Sequence, residues 1–106
     1  MNLPAEKFIS CGGKSLTDAE LLAILLRTGT RNMNAAALGE EVLSQTERYG
    51  NGLLGLYNIP LQELQKIDGI GRVKAVQLKA VTELCTRMSQ AKAKRHLSFH
   101  SPVSVA

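Results

Sequence analysis

Two glycines one residue apart, Gly69 and Gly71, flank Ile70 and are followed by Arg72, Val73, Lys74 and, further on, Lys79. Glycines at that spacing let a chain reverse tightly and bring bare backbone close to another molecule. A helix beginning just after them presents unpaired N–H groups and the positive end of its dipole. Such a terminus suits phosphate, and the three cations add to its attraction. The chemistry this points to is a grip on a nucleic-acid backbone that positions without reading bases. A turn that only packs two helices would use the same glycines, so both readings stand at this level.

Other reactive residue types have simpler accounts. Lys74 could form a Schiff base only if desolvated, and a solvated lysine beside a phosphate is the reading taken. His96 and His100 have the H-x3-H spacing that can suit zinc, but no cysteine or acid lies near them in sequence. Asp18 and Glu20 resemble a carboxylate pair, yet Thr17-Asp18-Ala19-Glu20 reads as a capping box. Cys11 and Cys85 form no CxxC and are expected as two buried, reduced thiols. No catalytic residue, side-chain metal site or small-molecule substrate is therefore assigned.

Composition narrows the class. At 106 residues the chain is about one domain. Its apolar fraction is 44% with only 4% aromatic residues, so the core must be aliphatic, which suits packed helices. Stacking platforms for single-stranded bases need exposed aromatics, and Phe8, Tyr49, Tyr57 and Phe99 are scattered. There is no apolar run of membrane-spanning length and no signal-peptide core near the start. A cytoplasmic protein without a membrane partner is expected. Residues 1–65 carry five cations against seven acids, whereas residues 66–106 carry eight against two. The basic half holds the glycine turn, and a basic surface gathers polyanions.

The elements that must position the turn are helical. The capping box opens an apolar helix through Leu21, Leu22, Ile24, Leu25 and Leu26, with Leu25 expected in the core and Gly29 as its stop. Asn32 or Asn34 caps the next helix, which carries Leu38, Val42 and Leu43 on one side and Glu40 and Glu41 on wetter faces. Residues 53–57 make a short turn, and Asn58 caps a short helix reaching Lys66. The last helix is expected from about Arg72 to Met88. Its apolar arc would be Val73, Leu78, Ala80, Val81, Leu84, Cys85 and Met88, with Arg72, Lys79, Glu83 and Thr86 opposite. Residues 90–106 read as a basic linker. A shift of 40 residues sets Gly29, Ile24, Ala35 and Leu38 on Gly69, Leu64, Ala75 and Leu78, but Arg31 stands where Gly71 would be. This is either a degenerate duplication or chance spacing.

Residues 64–78 resemble a helix-hairpin-helix motif, with Leu64, Ile67, Gly69, Ile70, Gly71, Ala75 and Leu78 in register. More narrowly, residues 4–89 resemble the N-terminal domain of bacterial RadC-like proteins, the UPF0758 family. Residues 15–30 and the hairpin 67–75 carry the likeness. The resemblance implies an all-α domain of tandem helix-hairpin-helix motifs over residues 1–89, the first degenerate. Residues 90–106 would then lead into a JAB/MPN-like domain whose histidine-rich zinc motif is not in this chain.

The resemblance also implies a DNA-repair-associated role in which amides of Gly71, Arg72 and Val73 donate to phosphates of duplex or branched DNA. Gly69, Ile70, Lys74 and Lys79 would complete that surface. A K⁺ or Na⁺ would rest on carbonyls of Gln65, Ile67 and Ile70, adding charge toward the phosphate. In lyase-type relatives of the motif a nucleophilic lysine stands where Val73 is, so this chain is expected not to be an enzyme. Zinc, and any hydrolase chemistry of the metallopeptidase kind, would belong to the absent domain. The alternative role is a scaffold docking on that domain or on a partner. It predicts an exposed apolar patch near Leu53, Leu54, Leu56 and Tyr57.

Overall fold

Pro4, whose fixed φ suits the first helical position, opens a helix that the sequence pattern did not suggest. In the computed structural model, which describes residues 3–26 and 35–99 and side chains as far as Arg95, α1 spans Pro4–Cys11. Gly12 stops it at φ 90°. A short 3-10 turn at Gly13–Ser15 then leads to α2, Asp18–Leu26. The capping box forms as expected. Glu20 N–H donates to Thr17 Oγ1 at 3.1 Å, and Thr17 N–H donates to Glu20 Oε1 at 2.8 Å. The Thr17 amide, and after it Lys7 at 3.3 Å, hold the Glu20 carboxyl below the ordinary glutamate range.

Helix α3 spans Ala35–Thr46 and buries Leu38, Gly39, Val42 and Thr46. It packs on α2 through a close crossing: a Cβ on Gly39 would collide with the Ala19 carbonyl. The expected stop at Gly29 and caps at Asn32 or Asn34 lie outside the described residues. The connector runs through 3-10 turns at Glu47–Tyr49 and Gly52–Leu54 into α4, Gly55–Asn58. Thr46 Oγ1 ties α3 to it, 2.9 Å from the Gly52 carbonyl. Asn58 does not cap the following helix. Its amide instead donates to the Tyr49 carbonyl at 3.1 Å, and Pro60 is the N-cap of α5, Leu61–Gln65. Proline fits there because its missing N–H would have had no partner.

The last helix, α6, runs Arg72–Phe99, so residues 90–99 are helix and not an irregular linker. Every described position from Arg87 onward is exposed. The described secondary structure is entirely helical, and the fold is all-α. One core joins Leu22, Leu26, Leu38, Val42, Leu56, Ile59, Leu64, Ile67, Ile70, Ala75 and Leu78. Leu26 is its deep residue on α2, whereas Leu25 is only half-buried at the core's edge, contrary to expectation. Cys11 is exposed and Cys85 half-buried, so neither is the buried thiol expected; both are free.

The α6 faces also differ from expectation. Ala75, Leu78 and Thr82 are buried, while Val73, Ala80, Leu84 and Met88 are exposed. The packed line is small and partly polar because Thr82 satisfies its hydroxyl locally, donating to the Lys79 carbonyl at 2.6 Å. Of the expected arc, Leu78 is buried and Val81 and Cys85 are half-buried, so hydrophobicity placed part of the inner face and missed Ala75 and Thr82.

Candidate nucleic-acid interface

The glycine turn is built by hydrogen bonds that follow one another along the chain. Lys66 N–H donates to the Glu63 carbonyl at 3.2 Å, Ile67 N–H to Leu64 at 3.1 Å, and Ile70 N–H to Ile67 at 2.9 Å. Gly69 sits at φ 95°, a conformation that side-chain-bearing residues rarely adopt. Ile67 and Ile70 turn inward on either side of it and are buried with Leu64, Ala75 and Leu78. The apolar positions of the hairpin pattern thus form one seam that pins the turn and aims its backbone outward.

Gly71 differs from Gly69. Its φ lies outside the left-handed region, and a Cβ built there meets nothing within 4 Å. The strained glycine is Gly69. Gly71 is instead the exposed residue just before α6, with open space over its backbone. The first bond of the helix is Ala75 N–H to the Gly71 carbonyl at 3.0 Å. The amides of Gly71, Arg72 and Val73 precede that bond and have no acceptor within the helix. Arg72 and Val73 are exposed, and Lys74 is half-buried.

Lys79 is not on the outer face. Its ammonium donates to the carbonyls of Leu56 at 2.8 Å, Tyr57 at 3.0 Å and Ile59 at 3.0 Å. These carbonyls lie at the end of α4, where a cation also meets the negative end of the helix dipole. Burial draws its pKa below the ordinary lysine value. The side chain fastens α6 to the connector, and its charge is spent there. Nothing in its sequence position distinguishes such a lysine from a solvated one. Lys66 is also paired, with Glu63 at 2.9 Å, and that hydrogen bond raises its pKa. Asp68 adds an exposed acid to the turn. The cationic ring around the hairpin is therefore thinner than the sequence suggested, and Arg72 leads it.

Of the carbonyls expected to hold a monovalent ion, Gln65, Ile67 and Ile70, that of Ile67 is already engaged at 2.9 Å. It accepts from the Ile70 amide, which leaves one lone pair. Among the described residues no cluster of histidine, cysteine and acidic side chains could hold a metal. The side chain of His96, and all of His100, lie outside them. No described helix is long and apolar enough to cross a membrane.

A second surface was anticipated only in part. Leu53, Leu54, Leu56 and Tyr57 line an apolar groove of about 220 Å³ with Leu21, Leu22 and Leu25 of α2 and Val81 and Cys85 of α6. Of the residues the docking alternative expects exposed, Leu54 and Tyr57 are, while Leu53 is half-buried and Leu56 sits in the core. The walls from α2 and α6 follow from the packing.

The UPF0758 N-terminal family model matches residues 1–76, from α1 through the glycine turn into α6. The chain belongs to the UPF0758 family. It is 41% identical over 104 residues to a UPF0758 protein of Streptococcus uberis, covering 98% of this chain and 44% of that protein. A UPF0758 protein of Streptococcus thermophilus is 44% identical over 107 residues, with 98% and 44% covered. One from Pseudoalteromonas translucida is 42% identical over 102 residues, with 96% and 44% covered. The chain thus spans less than half the length of these relatives. No solved structure matches it.

Proposed function

We propose that this UPF0758 domain is a non-catalytic module that binds DNA through backbone phosphates, without sequence preference. One observation carries the reading: the open space over Gly71 at the head of α6, beside an exposed Arg72. The amides of Gly71, Arg72 and Val73, with the positive end of the α6 dipole, suit a phosphate. A K⁺ or Na⁺ on the turn carbonyls would add to the attraction. Duplex and branched DNA are the partners, in the cytoplasm, in support of a DNA-repair-associated RadC-like protein. Any zinc-dependent hydrolysis belongs to the part of the relatives' length beyond this chain.

The test is a salt titration of anisotropy with a labelled duplex and a labelled junction. With Lys79 on carbonyls and Lys66 on Glu63, Arg72 and the amides at the head of α6 carry the phosphate contacts, about two to three in number. The expected slope of log K against log salt is about −2 to −3, with micromolar or weaker affinity. Absence of binding to both DNAs at low salt would overturn the reading.

A docking module is the second reading, favoured by the apolar groove between α2, the connector and α6. It predicts that Leu54→Asp disturbs assembly with the remainder of a full-length relative and leaves DNA affinity unchanged.

A further inference from the structure

We infer that α6 is a ruler laid along duplex DNA. While the hairpin at its head holds one phosphate, Lys94 near its far end meets a second, one turn of the duplex away. This rests on the DNA-binding reading above and adds to it a contact and a minimum length of duplex. Residues 72–99 contain neither glycine nor proline, so nothing in the sequence kinks the helix. Its last buried side chain is Thr82, and every described position from Arg87 onward is exposed. The second half of α6 therefore projects from the body. After Glu83 it carries Arg87, Lys92, Lys94 and Arg95 and no acid. Packing on the described core does not account for this half, and a surface of one sign attracts a polyanion.

Length and phase select the contact. Arg72 and Lys94 stand about 33 Å apart along the axis, at about 1.5 Å per residue. B-DNA returns the same strand to the same side of the duplex after about 34 Å. At about 100° per residue, Lys94 falls about 40° around the helix from Arg72, so both reach the same side. Lys92 falls at about 200° and Arg95 at about 140°, away from that side. Between the two ends the shared side holds Val76, Glu83, Arg87 and Gln90. Glu83 and Arg87 pair at 3.0 Å, so the middle carries no net charge and the attraction is at the ends. The buried Ala75, Leu78 and Thr82 centre at about 270°, so a duplex on this side passes beside the body. Unphased attraction to any polyanion would use Lys92 as readily as Lys94. The ruler uses Lys94 alone, and it reads the spacing of phosphates without reading bases.

Salt titrations of anisotropy test this with labelled duplexes of about 16 and 8 base pairs, roughly 54 and 27 Å long. Only the longer duplex spans both contacts. On it, Lys94→Ala flattens the slope of log K against log salt by about 0.9, the share of one phosphate. On the shorter duplex, Lys94→Ala and the parent give the same slope. Lys92→Ala removes the same charge from the same end of the helix and matches the parent on both. Alanine at an exposed helical site keeps the helix, so all three proteins share one fold.

The ruler is overturned if Lys92→Ala flattens the slope as much as Lys94→Ala does. It is overturned as well by a Lys94→Ala effect of equal size on the two duplexes, or by none on the longer one. Each of those results leaves binding by the hairpin in place. A parent that binds neither duplex at low salt overturns the DNA-binding reading itself, and the ruler with it.

Discussion

Gly39 on α3 lies so close to the Ala19 carbonyl of α2 that no side chain fits between them, whereas Gly71 at the head of α6 has open space where a side chain would stand. The two glycines belong to the two helical pairs that the 40-residue shift superimposes. At the matched positions, Leu38 and Leu78 are both buried, and Ala75 is buried where Ala35 is half-buried. The packing duties are shared, but the means differ. The first pair is held by contact of backbones along the helices. The second is held by a turn whose isoleucines insert into the core and whose glycines carry the backbone outside it. Close contact removes surface, and an outward turn creates it. In the DNA-binding proposal the second pair meets the other molecule; the turn of the first pair lies outside the described residues.

The largest expected effect follows from that difference. Gly39→Val should be severely destabilising, at or above the roughly 1–3 kcal/mol of ordinary overpacking, because the obstacle is a backbone carbonyl that cannot rotate away. Gly71→Val should melt close to the parent, since its φ is unstrained and its space is empty. Its expected cost is in DNA affinity alone. Thermal unfolding of both proteins decides this. A Gly71 variant that loses as much stability as the Gly39 variant would erase the distinction between framework and surface.

How much of this was legible in the sequence depends on whether a residue's task is local. The capping box of α2, the reversal at residues 69–71 and the inward positions Leu64, Ile67, Ile70, Ala75 and Leu78 are set by neighbours within a few residues, and they stand where the pattern put them. Helix α1 was invisible because its stability comes from docking, through contacts such as Lys7 with Glu20 thirteen residues away. The rest of the inner face of α6 was misplaced because α6 carries two opposed faces. The packed one uses Ala75, Leu78 and Thr82, while the exposed one keeps Val73, Val76, Leu84 and Met88. The role of Lys79 depends on carbonyls about twenty residues upstream. No periodicity encodes that distance.

Lysine and arginine on α6 give the next comparison, with a smaller effect. Lys79→Met should cost about 1–3 kcal/mol, because three carbonyls lose a charged donor in a partly buried setting. It should leave the salt slope of DNA binding unchanged. Arg72→Ala should do the reverse, reducing the slope by about 1 with little change in melting temperature. Urea melts paired with salt titrations separate the two. A Lys79→Met protein that keeps its stability but loses salt-dependent binding would return that lysine to the DNA surface.

The smallest expected effect concerns how each pair begins. Helix α2 starts with a side-chain cap that carries charge, while α6 starts at Gly71, which has no side chain at all. Only the first start should respond to mild acid. The Glu20 pKa is lowered in the folded protein, first by the Thr17 amide and then by Lys7. A carboxyl with a depressed folded pKa contributes stability that is present above its unfolded pKa and is lost as pH falls through the folded value. The parent should therefore melt above Glu20→Gln near neutral pH, by a few degrees at most for so exposed a group. Glutamine keeps the reach back to the Thr17 amide but gives up the charge facing Lys7 and the helix dipole. The gap between the two proteins should close as pH falls below the ordinary glutamate range, because the parent then loses the same charge. A gap that stays constant from neutral pH down into strong acid, where the parent's Glu20 is protonated, would mean that the cap acts by shape alone. The first pair would then be as indifferent to charge at its start as the second.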